Sequence, residues 1–302
     1  MKWLLTGASG FLGTALRVRL ASTGHEVVRL VRRDPATSTE FRWDPDTGQL
    51  DPAALEGVDV AVGLGGVGVA SRPWTAARRE AILSSRVNAT RTLATAVADL
   101  ATDQRRSPVL IQASGIHRYG TQSGPDPYTE DSSAAADFLA QVTVAWEGAA
   151  QPAVDAGARV VVLRTSLVLD RTGGSFLPMK LAWSAGLGAK LGDGRQRMPM
   201  ISLRDYLGVV EWAATTEHAS GPYNLTIPQP TTNAEFSDAL AAALHRPRLL
   251  AAPAVVVRTA LGELAQLLLG DLYAVPERLT GDGYVFTDPD VVTTIASALH
   301  RG

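Results

Sequence analysis

The stretch TGASGFLG, residues 6–13, decides the fold. It follows a short apolar run, KWLLT at residues 2–6, and opens a segment, residues 11–22, whose leucines at 12, 16 and 20 share one helical face. Gly24 stops that helix, and EVVRLV at residues 26–31 reads as the next strand. Strand, glycine turn, helix and strand in close succession form a βαβ unit with two parallel strands. The spacing Gly7-x-x-Gly10-x-x-Gly13 gives each glycine a task. The first allows the tight turn, the second lets backbone approach a pyrophosphate, and the third lets helix pack on strand. Behind them the helix N-terminus offers unpaired N–H groups and the positive end of its dipole. Gly7, Ser9, Gly10, Phe11, Leu12 and Gly13 therefore read as the phosphate cradle of a dinucleotide site.

The alternation continues downstream. Residues 58–64 read as a buried strand and 75–100 as a long helix, with apolar positions at Ile82, Leu83, Val87, Leu93 and Val97. Residues 109–113 read as a strand, 137–156 as a helix and 159–164 as a further strand. Strands separated by helices predict an α/β fold, a doubly wound parallel sheet of Rossmann type with helices on both faces. After about residue 170 the rhythm changes. Gly173-Gly174, the glycine-rich 186–194 and the proline-bearing 221–230 read as loops around short elements, with helices at 234–244 and 255–269. Residues 1–170 are expected to form the dinucleotide-binding domain. Residues 171–302 are expected to form a smaller C-terminal α+β substrate lobe, with some segments returning to the main sheet.

Composition narrows the function classes. Of 302 residues, 46% are hydrophobic and 19% charged, which suits a packed globule. The net charge of −2, with both signs interspersed, gives no reason to expect nucleic acid or a membrane as partner. The absence of cysteine excludes disulfides, thiolate–zinc sites and cysteine nucleophiles. The five histidines (25, 117, 218, 245, 300) show no ligand spacing, so no metal site is expected. The apolar start ends at Thr6-Gly7, too short for a signal-peptide core. The longest apolar stretch, 60–70, carries four glycines and falls short of a membrane span. The expectation is a cytoplasmic protein acting on a small molecule, with a homodimer left open.

The end of the second strand bears on the choice of cofactor. An NAD site usually places a carboxylate there for the ribose 2′-hydroxyl. This chain has Val31 and then Arg32-Arg33, whose guanidinium groups suit a 2′-phosphate, and NADP(H) is the expected cofactor. Two solvated arginines, with Asp34 reaching the ribose, are the alternative.

TGASGFLG resembles the TGxxGxxG fingerprint of extended and atypical short-chain dehydrogenases/reductases. Further marks are Trp43-Asp44-Pro45, Leu55-Glu56-Gly57-Val58-Asp59, Arg72-Pro73-Trp74-Thr75 with Ser85-Arg86, Asp137-Phe138, Trp146-Glu147 and RTSLVL at 164–169. Gly186-Leu187-Gly188, Gly192-x-Gly194-Arg195-Gln196, Asn233-Ala234-Glu235-Phe236, His245-Arg246-Pro247 and Val275-Pro276-Glu277-Arg278-Leu279 complete the set. Together they resemble the "epimerase family protein" branch of that superfamily, related to nucleotide-sugar epimerases and carrying a small C-terminal domain. The resemblance implies that Leu64, Gly65 and Gly66 line the adenosine side, although Gly63 and Val67 stand where relatives carry an asparagine and an acidic residue. It implies that Arg86 faces the cofactor, the other reading being a surface arginine paired with Glu80 or Asp99. It also places Leu167 near the nicotinamide.

In this superfamily a serine orients the substrate oxygen, a tyrosine transfers the proton and a lysine four residues later tunes the tyrosine. The proton must travel because a hydride does. Ser114 matches the serine. Asp137 and Gln141 fall at the tyrosine and lysine positions, and no Tyr-x-x-x-Lys occurs in the chain. His117 and Tyr119 are the candidate substitutes, Tyr119 by its match to a family tyrosine beside the nicotinamide. Asp137 reads more simply as a helix cap. Arg195, Gln196, Arg204 and Asp205 fall in the segment that covers the active site in related folds. The expected function is an NADP(H)-dependent oxidoreductase or epimerase-like enzyme acting on a small polar substrate, nucleotide-sugar-like at the widest. The alternative is an NADP(H) sensor or scaffold without turnover.

Overall fold

The computed structural model describes residues 1–104, 108–247 and 250–300. Strand β1 (Lys2–Leu5) passes through the glycine loop into helix α1 (Phe11–Ser22) and strand β2 (Glu26–Val31). β2 pairs in parallel with β3 (Glu40–Asp44), which turns back into the two-residue β4 (Gln49–Leu50). No helix crosses between β2 and β3, and the sequence reading passed over this hairpin. There follow β5 (Val60–Gly63), the long helix α2 (Ala76–Gln104), β6 (Val109–Gly115), α3 (Phe138–Gly148), α4 (Gln151–Asp155) and β7 (Val160–Thr165). The single helix expected over 137–156 is two. Pro152 stands in the first turn of α4 and has no N–H with which to continue the ladder of α3.

The later half adds β8 (Leu167–Leu169), α5 (Phe176–Ser184), β9 (Ala189–Leu191), β10 (Met200–Ser202), α6 (Leu203–Thr215) and β11 (Gly221–Leu225). It ends with α7 (Asn233–Ala243), β12 (Leu250–Ala252), α8 (Ala254–Leu261), α9 (Gln266–Leu269), α10 (Glu277–Gly281) and α11 (Val291–Leu299). The helix expected over 255–269 is interrupted at Gly262, which takes a positive φ of 55°. The proline-bearing 221–230 segment, expected as loop, begins as β11. Pro222 is tolerated there because β11 is an edge strand, where one missing N–H costs little.

The main sheet has eight strands in the order β11-β7-β6-β5-β1-β2-β3-β4, parallel throughout except for β4. Period-two alternation sends its side chains to two cores. Trp3, Leu5, Val60, Val62, Ile111, Val161 and Leu163 meet Leu16 and Leu20 of α1 and Tyr206, Val209 and Val210 of α6. Leu4, Val28, Leu30, Ala61, Leu110, Val160 and Val162 meet Ala89, Leu93 and Val97 of α2 and Ala153 of α4. Such continuously apolar strands are what a sheet covered on both faces requires. Each fully buried aliphatic side chain contributes about 1.5–3 kcal/mol.

Helix α6 and strand β11 thus return from the later half to the main sheet. Arg159 fixes the end of α6, its guanidinium donating to the carbonyls of Ala213, Ala214, Thr216 and Ala219. A separate core of Leu169, Phe176, Trp183, Met200, Phe236, Leu240 and Ile295 holds the C-terminal lobe, which carries the small parallel pairs β8–β10 and β9–β12. A cavity of about 720 Å³ lies between α2 and residues 45–56, on the α2 face of the sheet and away from the glycine loop. Among the described residues no helix is long and apolar enough to cross a membrane.

Candidate functional site

The loops after β1, β2, β5, β6 and β7 leave the sheet at one edge, the carboxyl ends of the parallel strands. At β1 the chain neighbours β2 on one side and β5 on the other, so successive crossovers diverge there and open a crevice. Gly7 takes φ of +63°, and a Cβ on it would stand 2.8 Å from the Leu64 carbonyl. A Cβ on Gly13 would overlap the Gly7 carbonyl oxygen. The chain is therefore as tight against its neighbours as glycine permits. Gly10 caps α1 without a side-chain hydrogen bond, leaving the first N–H groups of α1 directed into the crevice. Ser9 and Gly10 are exposed, Phe11 and Leu12 half-buried. The cradle predicted from the sequence fits a pyrophosphate on these grounds.

Beyond β2 the two arginines differ. Among the described residues Arg32 is exposed and has no protein partner. Arg33 donates Nη1–H to Glu40 Oε2 at 2.8 Å and Nη2–H to Glu40 Oε1 at 2.6 Å. Asp34, the alternative ribose acceptor, is held by Arg42 at 2.6 Å. Val31 is half-buried at the mouth of the crevice.

After β5, Leu64 N–H donates to Thr6 Oγ1, joining this loop to the glycine loop. Gly65 and Gly66 run across α2, and a Cβ on Gly66 would approach the Arg86 guanidinium at 3.1 Å. Arg86 is buried and donates Nη1–H to the carbonyls of Val67 and Ile82. Its guanidinium also lies 5.0 Å from the Trp146 ring centroid. It pairs with neither Glu80 nor Asp99, which corrects the surface reading. Burial and the neighbouring Arg78 charge push its pKa down to about 10.

The serine and tyrosine expected at the reaction centre belong to a buried network. Ser114 and Arg164 face each other across β6 and β7. Ser114 Oγ–H donates to Glu147 Oε1 at 2.8 Å, while Arg164 grips both oxygens of Glu147 from Nε and Nη2 at 2.9 and 3.1 Å. Arg164 Nη1–H also donates to the Tyr119 oxygen at 2.7 Å, and Tyr119 O–H donates to Asn224 Oδ1 at 2.8 Å. Tyr119 is 1% exposed and stacks on Tyr128. Burial raises its pKa above the ordinary tyrosine value. Its hydroxyl is engaged on both sides inside the protein, by Arg164 and by Asn224, so in this arrangement it has no free proton to offer a ligand.

His117 lies in the short turn after β6, half-buried, and has no hydrogen-bond partner among the described residues. Burial lowers its pKa below the ordinary histidine value, partly offset by the Asp137 carboxylate, so the ring is neutral at pH 7. Asp137 is the cap of α3, its Oδ1 accepting from Ala140 N–H at 3.0 Å. Gln141 donates to the Ala136 carbonyl. Leu167 is half-buried at the start of β8.

The four substrate-side candidates separate. Asp205 is fully buried and accepts from Tyr284 O–H and from the N–H groups of Thr287 and Asp288, which makes it a strut for residues 284–288. Gln196 is buried and donates to the Leu191 carbonyl. Both are corrected to structural positions. Arg195 and Arg204 stay solvated, with side chains 90% and 60% exposed. Sequence reasoning missed the roles of Glu40, Glu147 and Arg164. The signal for Arg164 was there: a charge at the end of the apolar strand VVVLRT has to be paired.

A family model described as NAD dependent epimerase/dehydratase family matches residues 3–226, and the Domain of unknown function (DUF1731) matches residues 252–298. Epimerase family protein Mb2239 of Mycobacterium bovis is 43% identical over 284 residues, covering 93% of this chain and 92% of that protein. The crystal structure of human epimerase family protein SDR39U1 (isoform 2) with NADPH superposes with a TM-score of 0.88 at 32% identity, covering 99% of both chains. A nucleoside-diphosphate sugar epimerase from Corynebacterium glutamicum gives 0.80 at 32% identity, over 99% of this chain and 58% of that one. Matched over nearly its whole length in sequence and in fold, the chain belongs to the NAD dependent epimerase/dehydratase family, in the branch of the short-chain dehydrogenase superfamily whose members are named epimerase family proteins.

Proposed function

We propose that the chain binds NADP(H) across the carboxyl edge of its sheet and acts as an oxidoreductase or epimerase-like enzyme on a small polar substrate. The observation that carries the binding is the uncapped N-terminus of α1 facing the β1–β5 crevice, with the free Arg32 at the end of β2. The NADPH in the human relative's structure supports the same reading. Gly7, Gly10 and Gly13 would take the pyrophosphate, Arg32 the 2′-phosphate, and the 64–66 loop the adenosine. Bound there, the nicotinamide would supply hydride acceptance or donation.

On the protein side, His117 is the group left to move the proton, being neutral, without a hydrogen bond among the described residues and next to β6. Ser114 and Glu147 would hold the floor of the site. A cytoplasmic location is part of the same proposal, checked by cell fractionation. A second reading, an NADP(H) sensor without turnover, draws on Asp137 and Gln141 being spent on the start of α3.

Fluorescence titration with NADPH and NADH tests the first part, with about tenfold tighter binding of NADPH expected from a charge-assisted phosphate contact. Preference for NADH would overturn it. A screen of carbonyls and alcohols with the holoprotein tests the second, and tight NADPH binding without turnover of any of them would favour the sensor.

A further inference from the structure

Glu40 is a carboxylate placed in the opening of a site read as selective for a phosphate, where its charge alone would work against the ligand. Its side chain is 2% exposed, while that of Arg33 is 58% exposed. Glu40 accepts from Arg33 twice, from Ala36 N–H at 2.7 Å, and lies 3.2 Å from Arg29 Nη2. Three groups from β2 and the loop after it therefore converge on one buried anion at the start of β3.

The edge of Arg33 that is used matters. A guanidinium has two edges able to grip an oxyanion, one formed by Nη1 and Nη2 and one by Nε and Nη2. Glu40 takes the first, and the Asp34 carbonyl takes the remaining Nη1–H at 2.8 Å. The Nε/Nη2 edge has no protein partner among the described residues, and the side chain is more than half exposed. Arg32, one residue earlier, is exposed and has no partner among the described residues.

We propose that Glu40 is a positioning residue for cofactor choice: it clamps Arg33 by one edge so that the other edge, together with Arg32, forms a pre-set two-guanidinium pocket for a ribose 2′-phosphate. This rests on the NADP(H) reading above. The clamp removes the rotamer entropy that a free arginine would lose on binding. The net balance stays cationic, because Arg29, Arg32 and Arg33 outnumber Glu40, while Arg42 and Asp34 cancel each other. The two arginines hold Glu40 ionised, its pKa brought down to about 2, so the clamp is closed at every physiological pH.

The test compares wild type with Glu40→Gln and Arg33→Ala, titrated with NADPH, NADH, adenosine 2′,5′-bisphosphate and AMP at fixed ionic strength. Melting curves establish that each variant is folded. Both variants should bind NADPH and the bisphosphate about tenfold more weakly, with NADH and AMP within about twofold of wild type. Equal losses for NADPH and NADH would make Glu40 merely structural and overturn the proposal, as would unchanged or tighter NADPH binding. If Glu40→Gln does not fold, Arg33→Ala decides, since it leaves Glu40 paired with Arg29. The bisphosphate separates the two claims. A wild type that binds it over AMP, yet ignores both dinucleotides, would sink the cofactor reading and leave the clamp to stand or fall on the variants.

Discussion

The hydroxyl of Tyr119 lies between a guanidinium and an amide oxygen, whereas the ring of His117, two residues earlier, makes no hydrogen bond among the described residues. Replacing Tyr119 with Phe leaves Arg164 Nη1 and Asn224 Oδ1 short of a partner. The expected cost is about 1–3 kcal/mol in chemical denaturation, with NADPH affinity within about twofold of wild type. Replacing His117 with Gln should leave folding and cofactor affinity unchanged. Any turnover found in the substrate screen should drop by about 10²-fold or more, the scale of one general acid–base contribution, and an undiminished rate would remove His117 from the mechanism. At this scale the sequence was a mixed guide. It identified Asp137 as a cap, since capping follows from chemistry local to a turn. It could not separate Tyr119 from His117, because burial is decided by Arg164 and Asn224 from distant strands.

At the scale of elements, the βαβ start, the long α2 and the strands β5, β6 and β7 were legible because apolar runs and glycine punctuation carry them. The breaks were less so. Pro152 and Gly262 each split an expected helix, although both residues are known breakers and were present to be read. Helix α6 went unnoticed because its apolar face, Tyr206, Val209, Val210 and Ala213, follows directly on the polar turn Ser202–Asp205. The β3–β4 hairpin was passed over because β3, EFRWD, carries three charged residues in five and β4 is only two residues long. A tight element joint is where α1 leaves the glycine loop. Gly13→Ala would press a methyl group into the Gly7 carbonyl, and overpacking of that kind costs about 1–3 kcal/mol. Because the displaced atoms form the phosphate cradle, affinity for NADPH and NADH should fall together. A Gly13→Ala protein with wild-type affinity would show that the loop has slack.

For the whole molecule, acid should be the destabilising direction. Glu40 has a folded pKa of about 2 against 4.5 when unfolded, so its contribution is present above about pH 4.5 and is lost as pH falls towards 2. Asp271 adds to the same limb: burial pushes it up, but the hydrogen bonds and charge of Arg197 outweigh that and lower it. Glu130, raised by burial, works in the opposite sense and softens the loss. Urea denaturation at pH 3 to 7 should show stability declining below about 4.5, and Glu40→Gln should flatten that decline; a pH-independent curve would contradict the pairing. The sheet covered by helices on both faces was legible from its βα rhythm, while the return of β11 to its edge was foreseen only in outline. That edge has a consequence of another kind. An eight-stranded sheet has two margins able to template foreign strands, and a row of open amides there seeds aggregates. One margin here is β4, only two residues long. The other, β11, carries Pro222, has its Asn224 amide occupied by Glu130, and has the Pro222 carbonyl capped by Arg278. With both margins blunted, the protein should stay dispersed at high concentration, and its long sheet should not be the seed of any amyloid it forms.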